Sequence, residues 1–265
     1  YYTHIKLEPK VVRNWCQPSP KKYGCVLRLG VLYLKSLIAF SSGYDSLYIA
    51  WKYLTETNNH VTLCFFDFSM VRQPNNENSF ELYNHQSHKI NSKRSHKYLS
   101  ENIRNCDIRI HLQKHMDSKY DHARQFVRTA VDWINNGEYD EIVHGSSGLY
   151  SPRAKVIRKE FETFASRGSI RFPIIEERKT IADLIYELPE NLQPYAFSCN
   201  GSSDFNFECG KCHKCIRNNI IKKYKKLGKS SEIAYEAYST SAFHQKQSKS
   251  MIEYKTKMGY YEGIT

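Results

Sequence analysis

Residues 37–46 read Leu-Ile-Ala-Phe-Ser-Ser-Gly-Tyr-Asp-Ser, an apolar run that breaks abruptly into small and polar residues. Leu37 to Phe40 has the unbroken apolar character of a strand buried on both faces. Beyond the break, Leu47, Ala50, Trp51 and Leu54 recur at helical spacing over residues 47–56. The reading is strand, tight loop, helix. Such a loop aims its backbone N–H groups and the helix N-terminus at one spot, which favours an anion there. Small side chains let a phosphate approach the backbone, Gly43 can take positive φ, and the Ser41 and Ser46 hydroxyls can donate hydrogen bonds. The lysine of a Walker loop and the spaced glycines of a dinucleotide loop are both missing, so those two classes are excluded. A serine-rich N-cap that binds nothing is the bland alternative.

Outward from this stretch the β-α alternation continues. Residues 61–66, VTLCFF, read as a second buried strand, and a right-handed parallel crossover is strongly favoured for such a unit. Residues 71–98 are rich in Asn, Gln, Ser, His and Lys and read as a long exposed loop or weak helix; His85, His88 and His96 lie there without a cysteine or acid at ligand spacing. Further strands are expected at 108–112, 141–144 and 169–175. Helices are expected at 122–136, built on Phe126, Val127, Ala130 and Ile134, at 153–166, and at 181–188 with Thr180 as its cap. There are no internal repeats. The expected fold is a doubly wound parallel α/β sheet of about five strands, with ligands at the carboxyl ends of the strands. Three parts follow: residues 1–33, an extension of unassigned role; 34–197, the α/β domain; and 198–265, a helical region that carries a cysteine cluster.

That cluster reads Cys199-x9-Cys209-Gly210-x-Cys212-x2-Cys215. Four thiolates are what a structural zinc site commonly takes, with Gly210 permitting the tight bend. An iron–sulfur cluster on the same four residues is the main rival. Disulfides are disfavoured, because the chain of 265 residues can bury a sizeable core and its other four cysteines are scattered. His213, inside the knuckle, is expected to be exposed.

Lysine and arginine total 39 against 27 aspartate and glutamate, a net charge of +12 that permits an anionic partner without naming one. The clearest basic face is Arg217, Lys222, Lys223, Lys225, Lys226 and Lys229, which also reads as an ordinary solvated helix face. No stretch approaches the eighteen apolar residues of a membrane span and the start does not resemble a signal peptide, so a soluble, cytoplasmic protein is expected.

The loop Ser41-Ser42-Gly43-Tyr44-Asp45-Ser46 resembles that of the PP-loop ATP pyrophosphatase superfamily, Ser-Gly-Gly-x-Asp-Ser, with Ser42 in place of the first glycine. Together with the knuckle, the chain resembles the 7-cyano-7-deazaguanine synthase (QueC) family over residues 34–220. Pro173, Lys179-Thr180-Ile181 and Ser198-Cys199 are similar to further family segments, although Ile181 stands where a second lysine is usual. The resemblance implies a carbon–nitrogen ligase that adenylates a carboxylate on a 7-deazaguanine with ATP, followed by attack of ammonia or another amine. It implies an ATP site of Phe40, Ser41, Ser42, Gly43, Tyr44, Asp45, Ser46 and Phe66, with Asp45 catalytic through Mg2+. It further implies Gly145, Ser146 and Lys179 on the substrate side, and structural Zn2+ on the four cysteines. The loop at 145–153 departs from the family pattern. That leaves open a nucleic-acid or protein acceptor, modification of tRNA or DNA, a degenerate nucleotide-binding module, and a homodimer. Cys64 and Cys106 are the core thiols open to a sulfur-transfer role, and neither sits in a Cys-x-x-Cys.

Overall fold

The computed structural model describes residues 33–67, 85–113, 122–146, 152–199, 208–241 and 244–245. Five parallel strands, β1 (Lys35–Ala39), β2 (His60–Asp67), β3 (Asp107–Leu112), β4 (Glu141–Val143) and β5 (Ser169–Arg171), form one sheet in the order β3-β2-β1-β4-β5. The chain builds outward from β1 to β3, then crosses to lay β4 on the other side of β1. The β1/β4 boundary is therefore the switch point, where ligands of such sheets bind.

Alternation along the strands feeds two apolar layers. Ile38, Leu63 and Val143 face one side, packed by α1 (Tyr44–Glu56), α6 (Ile181–Glu187), α7 (His213–Lys226) and α8 (Ser231–Ser239). Leu37, Cys64 and Ile142 face the other, packed by α3 (His122–Asn135) and α4 (Pro152–Phe164). Ile221 of α7 and Ala234 of α8 are fully buried in the first layer, so the helices after the cysteines share the core of the sheet.

Two expectations need correction. The polar stretch holds a regular helix, α2 (His85–Asn102), and residues 68–84 lie outside the described set. Its Ser87, His88, Asn91, Ser92 and Ser95 are buried. A polar face can be buried when its groups are bonded: Asn91 Nδ2 donates to Ser87 O at 2.9 Å, and Ser95 Oγ lies 2.8 Å from both Asn91 O and Tyr195 O. Neither periodicity nor hydropathy registers such a face. The fifth strand ends at Arg171, and Pro173 opens the four-residue helix α5 (Pro173–Glu176). Proline has no N–H for a ladder and its fixed φ suits a first helical position. No helix among the described residues is long and apolar enough to cross a membrane.

Thr180 closes a capping box: its side chain accepts from Asp183 N, and Asp183 Oδ2 accepts from Thr180 N at 2.7 Å. Thr180→Ala is expected to lower stability by about 1 kcal/mol in a denaturant titration, the usual worth of such a cap.

Candidate functional site

The carboxyl ends of β1, β2 and β4 open into one cavity of about 230 Å3. Ser41, Gly43, Asp45 and Ser46 line it, Phe66 and Phe126, in edge contact with ring centres 4.9 Å apart, form an aromatic wall, and Gly145 with His144 lies on the β4 side; Phe40 and Phe65 also touch it. Arg153 of α4 and Lys214 and Arg217 of α7 bring three cations to it, against Asp45 as the acid among the lining residues.

The loop takes its shape in another way than its sequence suggests. The positive φ falls on Ser42, at 58°, while Gly43 is extended at φ −67° and serves as the N-cap of α1 with no side-chain cap bond. The first N–H groups of a helix have no intrahelical partner, and this helix start faces the cavity. Ser42 is fully buried, donates through Oγ to Ser41 O at 2.6 Å and contributes nothing to the lining. Ser46 Oγ accepts from Ser41 N and donates to Gly43 O, both at 3.2 Å, so this hydroxyl stitches the loop together. The Tyr44 ring is buried, with the Lys222 ammonium 5.4 Å from its centre. Expected at the ATP site, Ser42 and Tyr44 therefore shape the loop while their side chains point elsewhere.

Asp45 Oδ1 is shielded from solvent and has no hydrogen-bond partner. Burial raises the Asp45 pKa above its ordinary 3.8, and the positive charges of Arg217 and Lys214 pull against that rise. An orphaned buried carboxylate oxygen between a helix N-terminus and two cations fits a magnesium–phosphate group, which would supply the missing charge.

Gly145 lies against this loop: a Cβ there would lie in ordinary contact, 3.4 Å from Asp45 Cβ and 3.5 Å from Ser46 N. Ser146 turns back to His144, its N–H donating to Nδ1 at 3.1 Å. Lys179 stands away from the cavity lining. Its Nζ donates to Tyr48 OH at 2.8 Å and pairs with Glu187, so the structure does not bring it to the other predicted substrate residues.

The Sγ atoms of Cys199, Cys209, Cys212 and Cys215 lie within 4.8 Å of one another, with Cys199 and Cys215 buried. Gly210 has φ +68°, as the bend requires. Burial works against ionising Cys209, but backbone N–H donation from Lys211 and Cys212 and contacts from Cys199 and Cys212 outweigh it and bring the thiol down to about 7. The four residues form a metal-binding constellation. His213 is half-buried rather than exposed, and burial, with Lys214 and Arg217 nearby, lowers its pKa to about 4. His88 and His96 are no ligands either: His88 Nε2 is 2.9 Å from Cys199 O, and His96 Nε2 is 2.8 Å from Cys106 O.

The cluster abuts the loop. Phe197 N donates to Ser42 O at 2.8 Å, Tyr44 N to Ser198 Oγ at 3.3 Å, and His88 Nδ1 lies 3.3 Å from Ser41 O. The basic run beyond the cysteines is only partly a solvated face: Arg217 lines the cavity, Lys222 covers Tyr44, and Lys225 Nζ donates to Ile185 O and Tyr186 O at 3.1 Å. Lys223, Lys226 and Lys229 are exposed. Lys214, Arg153 and His144 escaped the sequence reading as site residues, and His88 was weighed there only as a metal ligand; for Lys214, its place between two cysteines at a helix start was the available signal.

No protein-family model and no curated protein matches the chain. Among solved structures it is similar to a U34-tRNA thiolase, NcsA from Methanococcus maripaludis with its 4Fe-4S cluster. The identity is 10% over 78% of this chain and 71% of that chain, with a TM-score of 0.33. The superposition is loose, and the reading of the site rests on its own geometry.

Two outcomes follow from the loop. Because the folded state holds the Asp45 proton more tightly than the unfolded chain, this group favours folding below its ordinary value of 3.8 and costs stability once the pH passes the raised value. Asp45→Asn should therefore raise the thermal midpoint at neutral pH, with the gain vanishing in acid; a lower midpoint at neutral pH would show the carboxylate to be compensated. Ser42→Val, a β-branched residue forced to positive φ, should destabilise by about 2 kcal/mol, whereas Ser42→Gly should not, as paired denaturation curves will tell.

Proposed function

We propose that this chain is an ATP-dependent adenylating enzyme that cleaves ATP between its α and β phosphates. The observation that carries the reading is the cavity at the β1/β4 switch point. There a helix start, an orphaned carboxylate oxygen and three cations surround one space with an aromatic wall. The motif resemblance of residues 41–46 to the PP-loop supports the same chemistry. The aromatic wall suits a purine, the helix start suits phosphates, and Asp45 would hold magnesium, which screens phosphate charge as the bond breaks.

In the reaction a substrate carboxylate oxygen attacks the α-phosphorus, the bond to the bridging oxygen breaks, and pyrophosphate leaves with that oxygen. An amine nitrogen then displaces AMP from the acyl carbon and loses a proton, leaving an amide. This requires positioning and charge stabilisation and no nucleophilic side chain. We assign the carboxylate to a 7-deazaguanine on the strength of the family resemblance, with Gly145 and Ser146 at the β4 side of the cavity as the residues that the resemblance places nearest to it. Lys179 has no part in this assignment.

A second reading, adenylation of a base carbonyl in tRNA or DNA, is favoured by the three cavity cations and the exposed Lys223, Lys226 and Lys229. Sulfur transfer through the core thiols fits less well, since burial pushes Cys64 up to about 12 and Cys106 to about 11, far from a reactive thiolate. We assign the cysteine cluster to one zinc ion. Four sulfurs at about 2.3 Å from one tetrahedral ion stand about 3.8 Å apart, close to the grouping observed. Ligands to four separate irons stand farther from one another.

With MgATP and a carboxylated deazaguanine the protein should release AMP and pyrophosphate, and Asp45→Asn should lower that rate about 100-fold or more. Release of ADP and phosphate, or no nucleotide turnover with any carboxylated deazaguanine or with tRNA, would refute the adenylation reading. Elemental analysis should find about one zinc per chain, as a single four-thiolate site requires; iron with acid-labile sulfide would refute the metal assignment.

A further inference from the structure

Helix α7 is anchored at two places of different character. Its later turns are held by the core, through fully buried Asn218 and Ile221, and by Lys222 over the Tyr44 ring. Its first turn is held by the cysteines. Cys212 is the N-cap and supplies no side-chain cap bond, while Cys215 is buried in a small cluster with Phe197, Cys199, Cys209 and Cys212. An ion shared by these thiolates would therefore fix the start of the helix, which the core alone does not reach.

The start of the helix carries cations to the cavity, Lys214 from the first turn and Arg217 from the opening of the second. Lys214 lies between two of the cysteines, Arg217 follows the last of them, and residues three apart share a helix face. Both line the cavity that holds Asp45. From the other side, the segment entering the cluster is bonded to the phosphate loop through Phe197 N to Ser42 O, Ser198 Oγ to Tyr44 N, and His88 between Ser41 O and Cys199 O. The knuckle thus grips both halves of the site.

We infer that Lys214 and Arg217 hold the nucleotide phosphates, and that the metal on the four cysteines positions them by fixing the first turn of α7. The inference rests on the adenylation reading in one respect, that a nucleotide occupies this cavity. It makes the knuckle part of the nucleotide site, beyond any role in folding. Loss of the metal should let the start of α7 fray, taking Lys214 off target and loosening Arg217 behind it, while the sheet and the turns from Asn218 onward stay in place.

The test is binding of Mg2+ and α,β-methylene-ATP, which is not cleaved at the relevant bond, to the metal-loaded protein by calorimetry. Lys214→Gln should retain the metal and the wild-type thermal midpoint, and Arg217→Gln should retain the metal with a somewhat lower midpoint, since Arg217 Nε donates to buried Asn218 Oδ1 at 3.2 Å; each should bind about tenfold more weakly, the scale of one lost charge-assisted contact. Removing the metal with a chelator under reducing conditions should weaken binding by a similar or larger factor, leave far-ultraviolet circular dichroism nearly unchanged, and be reversed by zinc. In the Lys214→Gln, Arg217→Gln double variant, metal removal should cost little further affinity, because the positioned groups are already gone. Equal metal sensitivity in the wild type and the double variant would overturn the positioning role. Wild-type affinity in both single variants would overturn the assignment of the cations while leaving the adenylation reading intact. Failure of the metal-loaded wild type to bind the analogue at all would overturn both.

Discussion

The hydrogen bond from Phe197 N–H to the Ser42 carbonyl, 2.8 Å long, ties the segment entering the cysteine cluster to the turn between β1 and α1, and the site depends on that junction. Ser42 holds a left-handed conformation that costs a residue with a Cβ about 1 kcal/mol or more. The bond to Phe197, its own Oγ contact to Ser41 O and its complete burial over-determine that conformation. With Ser42 fixed, Gly43 can cap α1 in extended form, and the start of the helix opens toward the cavity. The same junction delivers Ser198 to the Tyr44 N–H and Cys199 to its place beneath His88.

Electrostatics then decide what the space will accept. The helix start and the Arg153, Lys214 and Arg217 side chains bring positive potential to a small cavity in which Asp45 keeps an unsatisfied oxygen. In the proposed reaction, phosphates with a divalent cation would meet that positive potential and satisfy the carboxylate. Strain and desolvation concentrated at one turn of an otherwise regular sheet mark a site where stability has yielded to function. The opposite end of the sheet shows the contrast. Glu141 is also buried there, but Ser36 and Asn59 donate to it at 2.5 and 3.0 Å.

Much of the fold was legible because apolar periodicity is a local property. The strands at β1, β2 and β3, the helix built on Phe126 and Ile134 and the Thr180 cap all stand in the sequence as patterns of a few residues, and the parallel order follows from β-α alternation. The four cysteines were legible because ligand type and spacing suffice. Other features depend on tertiary partners that no local pattern contains. The stretch that holds helix α2 reads as an exposed loop or weak helix because its buried side chains are polar, and His88 and Ser95 find partners at Ser41, Tyr195 and Cys199, far away in the chain. Arg217 looked like a surface cation because nothing in the sequence says which face of α7 meets the cavity. Lys179 looked like a substrate ligand by position in a motif, whereas its neighbours Tyr48 and Glu187 occupy it.

The loop and the knuckle thus form one site, in which the switch point of the sheet supplies the helix start and the cysteine cluster supplies the cations that face it. The most direct measurement is a crystal structure of the metal-loaded protein with Mg2+ and α,β-methylene-ATP. The account predicts the triphosphate between the N-terminus of α1 and the side chains of Lys214 and Arg217, with the purine on the Phe66 and Phe126 side of the cavity. Phosphates seated away from residues 41–46, or a nucleotide bound elsewhere on the molecule, would contradict it.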